Sequence, residues 1–193
     1  MVRLVALIFP LVAMISSMPT ASVAVAGIQA GDVAIASSIA PDVAPASPDV
    51  IALADAEDVM TPMEQALLAL TNVDRGTNAV APLQFDPELL AIARERAAEQ
   101  MSMSDLTHTD AQGQLVFQEL VDRQGLAYRL IGENLAKVPG LDAGVAARAE
   151  VALMNSPTHR ANILEPIFDR VAIGSVVDSS GNTLFAEIYR AAN

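Results

Sequence analysis

The chain has 193 residues, 52% of them hydrophobic, which is enough for one folded domain and too few for two sizeable ones. It contains no cysteine, so disulfides, thiolate metal sites and a cysteine nucleophile are excluded. The net charge of −12 argues against nucleic acids and anionic membranes as partners, whereas divalent cations would be attracted.

The first 26 residues are typical of a secretory signal peptide. Arg3 precedes an apolar run from Leu4 to Ile15, and Ala24-Val25-Ala26 offers a small-residue cleavage site. The alternative is an uncleaved membrane anchor, but this run is short for a spanning helix. We therefore expect a secreted or cell-envelope protein without stable membrane insertion after cleavage.

Residues 27–60 are rich in Ala, Val, Pro, Ser and Asp, and they carry six acids without a base. Neither helical nor strand periodicity runs through them, and three prolines interrupt the segment. We predict a disordered spacer or a pro-segment here, followed by a single folded domain over residues 61–193.

The first half of that domain is predicted to be helical. Thr61-Pro62-Met63-Glu64 is a capping box with proline at the first helical position, and this helix should end near Arg75-Gly76. A loop up to Phe85 and a second helix from Asp86-Pro87-Glu88 follow. The apolar stripe of the second helix consists of Leu89, Ala93, Ala97 and Met101. Its small alanines predict close packing against another layer.

The second half mixes helices and strands. A third helix is predicted from Val116 to Gln124, and a short strand from Leu135 to Val138. Asp142 should cap a fourth helix that ends near Met154, with Val145, Ala149, Ala152 and Leu153 facing inward. Ser156-Pro157 reads as the N-cap and first turn of a short helix. A hairpin over residues 171–188 completes an α+β domain in which helices cover a small sheet.

Three ionisable side chains near predicted turns or helix ends form the candidate site. His108 and His159 are the two histidines of the chain, and Glu133 lies between them in Gly132-Glu133-Asn134. For Glu133 the alternative is a structural carboxylate that accepts backbone amides or pairs with Arg160. Ser156 is better explained as a helix cap than as a nucleophile, because no Gly-x-Ser-x-Gly motif is present.

Five motifs, in order along the domain, resemble the CAP superfamily of cysteine-rich secretory proteins, antigen five and pathogenesis-related proteins. They are Leu68–Arg75, Pro82–Asp86, Leu106–Asp110, Gly132–Leu135 and Leu153–Leu164. The chain looks most like the cysteine-free bacterial branch. The resemblance implies a three-layer α-β-α sandwich with a small, largely antiparallel central sheet and a cleft.

In that family two histidines and the glutamate of the Gly-Glu-Asn motif line the cleft and bind a divalent cation in several members. Carried over, the metal ligands are His108, Glu133 and His159, with Asn134 beside them in the cleft. Two imidazoles and one carboxylate leave open positions for water or substrate. We expect weak binding of Zn²⁺ or Ca²⁺, because residues 153–160 lack the second cleft glutamate that many members have.

Three functions remain open. By analogy, the leading one is a secreted, non-catalytic module that binds a small apolar ligand or a cell-envelope component. The second is a metal-dependent, peptidase-like hydrolase with Glu133 as the candidate catalytic base. The third is an envelope adhesion protein.

Overall fold

A computed structural model describes residues 4–5 and 59–192 of the protein. The predicted signal peptide and spacer fall outside the described residues, apart from residues 4–5 and 59–60. The helices are α1 Pro62–Thr77, α2 Pro87–Met101, α3 Val116–Arg123, α4 Val145–Asn155 and α5 Pro157–Ile163. The strands are β1 Leu4–Val5, β2 Gln84–Phe85, β3 Leu130–Pro139, β4 Arg170–Val177 and β5 Asn182–Ala191.

The strands form one sheet in the order β1-β3-β5-β4-β2. The central strand β5 pairs antiparallel with both β3 and β4, whereas the two-residue strands β1 and β2 pair in parallel at the edges. Residues 183–191 of β5 are all buried, because helices cover both faces of the sheet. This arrangement confirms the predicted α+β, three-layer α-β-α architecture.

The two layers of helices use opposite faces of β5. Ala97 of α2 packs with Leu184 and Ala186 on one face. On the other face, Thr71 of α1 hydrogen-bonds Glu187. None of the helices within residues 59–192 is long and apolar enough to cross a membrane.

The predicted starts of α1 and α2 are confirmed. The Glu64 amide donates to the Thr61 hydroxyl at 3.3 Å, and the Glu64 carboxylate accepts the Thr61 amide at 2.8 Å. Asp86 Oδ1 accepts the Glu88 amide at 3.1 Å. The Glu64 carboxylate also accepts the Ser175 amide at 2.9 Å, so the cap of α1 is tied to β4.

Two boundaries differ from prediction. The strand β3 begins at Leu130 instead of after Asn134, because its backbone pairs with β5 along its whole length; Glu133 lies opposite Ile188 in that ladder. The helix α4 begins at Val145 with Gly144 as its N-cap, so Asp142 is not the cap; its carboxylate accepts the Gly144 amide and pairs with Arg148 instead.

Smaller corrections follow from the same contacts. Gln84 and Phe85, expected at the end of a loop, form β2 beside β4. In α4, Ala152 is exposed rather than inward, whereas Glu150, which was not expected inside, is buried.

The close packing predicted by the alanines of α2 is confirmed at Gly174 of β4. A Cβ atom at Gly174 would lie 2.3 Å from both the Ala93 carbonyl carbon and the Arg94 nitrogen. These are backbone atoms, so they cannot swing aside as a side chain would. The absence of a side chain at this position lets α2 approach β4 closely at Ala93 and Arg94.

We predict that Gly174→Ala lowers the free energy of unfolding by about 1–3 kcal/mol, because the added methyl group overpacks the contact with α2. Urea denaturation at constant pH measures the change. Gly76→Ala is the matched control: Gly76 lies in α1 with open space around it, so its substitution should be neutral or stabilising by up to about 1 kcal/mol. Equal effects at the two glycines would contradict the packing argument.

Candidate functional site

Glu133 lies in the middle of β3 with its side chain completely buried against α2. Arg96 Nε donates to Glu133 Oε1 at 2.7 Å, and Arg96 Nη2 donates to Glu133 Oε2 at 3.2 Å. Both side chains are 0% exposed. Arg96 and Glu133 thus form a buried, bidentate ion pair, which is the strongest pairing geometry of arginine with a carboxylate.

Arg96 also connects this pair to the loop that carries His108. Its Nη2 donates to the Thr107 carbonyl oxygen at 2.8 Å, and its Nη1 donates to the Glu99 carboxylate. Burial acts to lower the pKa of Arg96, but the hydrogen bonds and negative charges of Glu133 and Glu99 outweigh it and raise the pKa above its usual value. Arg96 is therefore charged, and it joins α2, β3 and the loop.

His108 is held by the same carboxylate. Its Nδ1 lies 2.7 Å from Glu133 Oε2, and 18% of its side chain is exposed. An ionised carboxylate can only accept, so Nδ1 must carry the hydrogen of this bond. In the neutral ring, Nε2 is then left as a lone-pair donor pointing away from Glu133. This carboxylate–histidine arrangement is the one that commonly orients metal-binding imidazoles.

His159, in the first turn of α5, completes the group. The centroids of the His108 and His159 rings are 6.4 Å apart. Burial, and to a lesser degree the neighbouring His108, lowers the pKa of His159 below its usual value. The ring is consequently neutral at neutral pH, and its nitrogens hydrogen-bond no other residue in the described part of the chain. The structure thus brings together the three side chains of the predicted site.

Two asparagines brace α5 from inside the protein. Asn134 is fully buried, and its amide donates to the His159 carbonyl oxygen at 3.2 Å. Asn162 donates to the Glu133 carbonyl oxygen at 3.1 Å and to Asn134 Oδ1 at 3.0 Å. Asn134, predicted to be in the cleft, therefore lies behind it and positions His159 through the backbone.

Two alternatives considered for this region are wrong in detail. Arg160 donates to the Met154 carbonyl oxygen, so the arginine partner of Glu133 is Arg96 instead. Ser156 has the backbone conformation of an N-cap, but its hydroxyl lies 3.1 Å from the Thr158 hydroxyl and caps no amide of α5.

Arg96 is the site residue that the sequence analysis missed. It follows Ala93 by three residues and so falls on the inward face of α2. A charged side chain on a buried stripe requires a buried counter-charge, and this requirement was the available signal for an Arg96–Glu133 pair.

The donors that remain for a metal ion are imidazole nitrogens. Within residues 59–192, no group of three or more histidines and acids is arranged to hold a metal ion. Glu133 already accepts hydrogen bonds on both oxygens, whereas His108 Nε2 and the His159 ring are available. The donors left for a cation in the cleft are therefore the two imidazoles, with Glu133 behind one of them.

The family model for the cysteine-rich secretory protein family, CAP, matches residues 68–189. The chain belongs to the CAP family. This confirms the resemblance, and the lack of cysteine agrees with the cysteine-free bacterial branch.

Among CAP relatives, the chain is 34% identical over 121 residues to the uncharacterized protein YkwD of Bacillus subtilis (strain 168). The match covers 61% of this chain and 44% of YkwD, so the chain spans less than half of that relative.

Two solved CAP-like structures share the fold. An outer surface protein from Borrelia burgdorferi matches with a TM-score of 0.58 and 20% identity, covering 70% of this chain and 97% of that one. An extracellular protein containing an SCP domain from Bacillus anthracis str. Ames matches with a TM-score of 0.53 and 22% identity, covering 68% and 44%. Proteins that share this fold thus include one named as an outer surface protein and one named as extracellular.

We predict that Arg96→Met lowers the free energy of unfolding by about 3–5 kcal/mol, because it leaves the buried carboxylate of Glu133 without its guanidinium partner. Arg123→Met is the control, since Arg123 and Glu119 pair with 64% and 61% of their side chains exposed; its cost should be below about 1 kcal/mol.

The double variant Arg96→Met/Glu133→Met removes both charges and should recover much of the loss seen in urea denaturation. If the cost of the double variant equalled the sum of the costs of Arg96→Met and Glu133→Met alone, the two charges would not be coupled.

Proposed function

We propose that this CAP domain is an exported, non-catalytic binding module whose cleft holds a divalent transition-metal cation between His108 and His159. The observation that carries the proposal is the 2.7 Å contact between His108 Nδ1 and Glu133, which leaves His108 Nε2 directed away from the carboxylate. The export part rests on the predicted signal peptide and on the extracellular and outer-surface relatives.

The donor chemistry favours zinc-like cations over calcium. Imidazole nitrogens suit Zn²⁺ and related transition metals, whereas Ca²⁺ takes six to eight oxygen ligands. Arg96 neutralises the nearest carboxylate, Glu133, so the site offers nitrogen donors without a free negative charge. Of the two cations expected from the sequence, Zn²⁺ and Ca²⁺, we therefore propose Zn²⁺. A cation with two protein ligands keeps open positions, and there it would act as a Lewis acid toward a donor atom of a partner molecule.

The state of Glu133 supports a binding role over hydrolysis. A general base must be free to take a proton, with a basicity matched to the working pH. Glu133 instead accepts hydrogen bonds from Arg96 on both oxygens and from His108 on one of them. These three donors occupy most of the lone pairs with which the carboxylate could take up a proton from a substrate. We therefore place the metal-dependent hydrolase second.

The partner that we propose is a small apolar ligand or an apolar part of a cell-envelope component. The support is local: Met103 and Leu106, on the loop that leads to His108, are 40% and 37% exposed. Large apolar side chains beside polar metal-binding groups are typical of ligand sites. An adhesion role would use the same surface without a small ligand.

For metal binding, calorimetric titration of the full chain with ZnCl₂ should show one site that is lost in His108→Ala/His159→Ala. Affinity should fall as the pH is lowered into the acid range, because protonated imidazoles cannot bind metal, and the lowered pKa of His159 should keep that ligand available to a lower pH than an ordinary histidine. Asp105→Asn, an exposed change in the same loop, is the control and should bind as the wild type does. Unchanged Zn²⁺ binding in the double variant, or a Ca²⁺ site that needs the histidines, would contradict the proposal.

For the apolar partner, mass spectrometry of organic extracts from the purified, exported protein should detect a bound apolar molecule. Met103→Ser/Leu106→Ser should retain less of it, because the apolar rim is removed. Val177→Ser, an exposed apolar residue at the end of β4, is the control. Extracts of the wild type that contain no apolar molecule would favour an adhesion role over the binding of a small ligand.

A further inference from the structure

Two acidic side chains meet in the interior behind the histidine cleft. Glu150 of α4 is 4% exposed and Glu187 of β5 is fully buried. The Thr71 hydroxyl of α1 lies 2.8 Å from Glu150 Oε2 and 3.4 Å from Glu187 Oε1. The two carboxyl groups thus share one hydroxyl at the junction of α1, α4 and the sheet.

The hydrogen-bond donors around Glu150 and Glu187 are too few to satisfy two ionised carboxylates. Thr71 has a single hydroxyl hydrogen, so it can serve only one carboxyl group at a time. Glu150 Oε1 is buried and has no hydrogen-bond partner. Tyr189 and Asn134 donate to the other oxygen of Glu187. In the described part of the chain no cationic side chain pairs with either acid.

A proton on one carboxyl group resolves this shortage. It removes one of two adjacent buried charges, which would otherwise be costly, and it supplies the missing donor. The titratable groups that interact with Glu150 are Asp74 on α1 and Glu187 and Tyr189 on β5, and none of them is a cation. Burial, then the charge of Glu187, raises the pKa of Glu150 to about 9, and burial raises the pKa of Glu187.

The pair is connected to the cleft through one side chain. The Asn134 amide donates to Glu187 Oε2 at 3.1 Å and to the His159 carbonyl oxygen at 3.2 Å. In addition, α4, which carries Glu150, ends at Asn155, directly before α5 with His159. A displacement of α4 or of Asn134 would therefore reach His159.

We infer that Glu150 and Glu187 form a buried proton-binding site that holds α4 against α1 and the sheet, and that loss of this proton shifts His159 in the cleft. The proton-binding site includes neither His108 nor His159, the proposed metal ligands. Because the folded state holds the proton more tightly than the unfolded chain, its contribution is fully present below the ordinary glutamate pKa of 4.5 and is lost as the pH rises toward about 9.

The test uses Glu150→Gln in the full chain, since glutamine has the shape of the neutral acid at every pH. As the pH rises from about 5 to about 9, the urea midpoint of the wild type should decrease. The midpoint of the variant should decrease less, and at about pH 9 it should exceed the wild-type midpoint. Glu119→Gln, an exposed acid of α3, should keep the wild-type slope. An equal slope in Glu150→Gln, or its failure to fold at neutral pH, would overturn the inference.

NMR gives a second readout. In protein with ¹³C-labelled glutamate, one carboxyl signal should titrate above about pH 7 and disappear in Glu150→Gln. The ring signals of His159 should shift over the same pH range in the wild type and not in the variant. Absence of a high-titrating glutamate refutes the proton site. A titrating glutamate without the His159 shift refutes the connection to the cleft.

Discussion

The buried ion pair of Arg96 and Glu133 is the interaction on which the geometry of the cleft depends. Removing two charges from water is expensive, and their attraction offsets that cost only when the remaining polar atoms are also satisfied. Here Arg96 additionally binds the Thr107 carbonyl oxygen and Glu99, and Glu133 additionally binds His108. The ion pair thus fastens α2, β3 and the His108 loop to one another at a single point.

Two consecutive residues of β3, Glu133 and Asn134, position the two histidines. Side chains alternate across a strand, so Glu133 faces α2 and reaches His108, while Asn134 faces the other helices and reaches the backbone of His159. Gly132 leaves the space for this arrangement, because a Cβ atom there would lie 3.0 Å from the Phe168 ring. The Gly-Glu-Asn motif can therefore be understood as a positioning device. This explains how two histidines far apart in sequence come to lie beside each other.

The sequence predicted the starts of α1 and α2 and the hairpin well, although the caps predicted at Asp142 and Ser156 are not formed. The capping box at Thr61 and the cap at Asp86 depend on neighbours within three residues, and the alternation of the hairpin directly indicates its strands. The ordered motifs identified the family and, with it, the α-β-α fold.

What the sequence did not reveal depends on long-range partners. The start of β3 is set by pairing with β5, and the role of Glu133 is set by Arg96, 37 residues away in the chain. Glu150 and Glu187 look like ordinary surface acids until both faces of β5 are seen to be covered. Only Arg96 lies on a face that periodicity marks as buried, and there a charged residue is a sign that a partner should be sought.

The central claim is that Glu133, held by Arg96, orients His108 so that Nε2 is free. Long-range ¹H–¹⁵N NMR of the labelled full chain at about pH 8 reads the tautomer of each neutral ring directly, and His159→Asn assigns the remaining signals to His108. The account predicts that His108 carries its hydrogen on Nδ1 and has an unprotonated Nε2. A His108 ring with its hydrogen on Nε2 would contradict it, because Nδ1 could then donate nothing to Glu133.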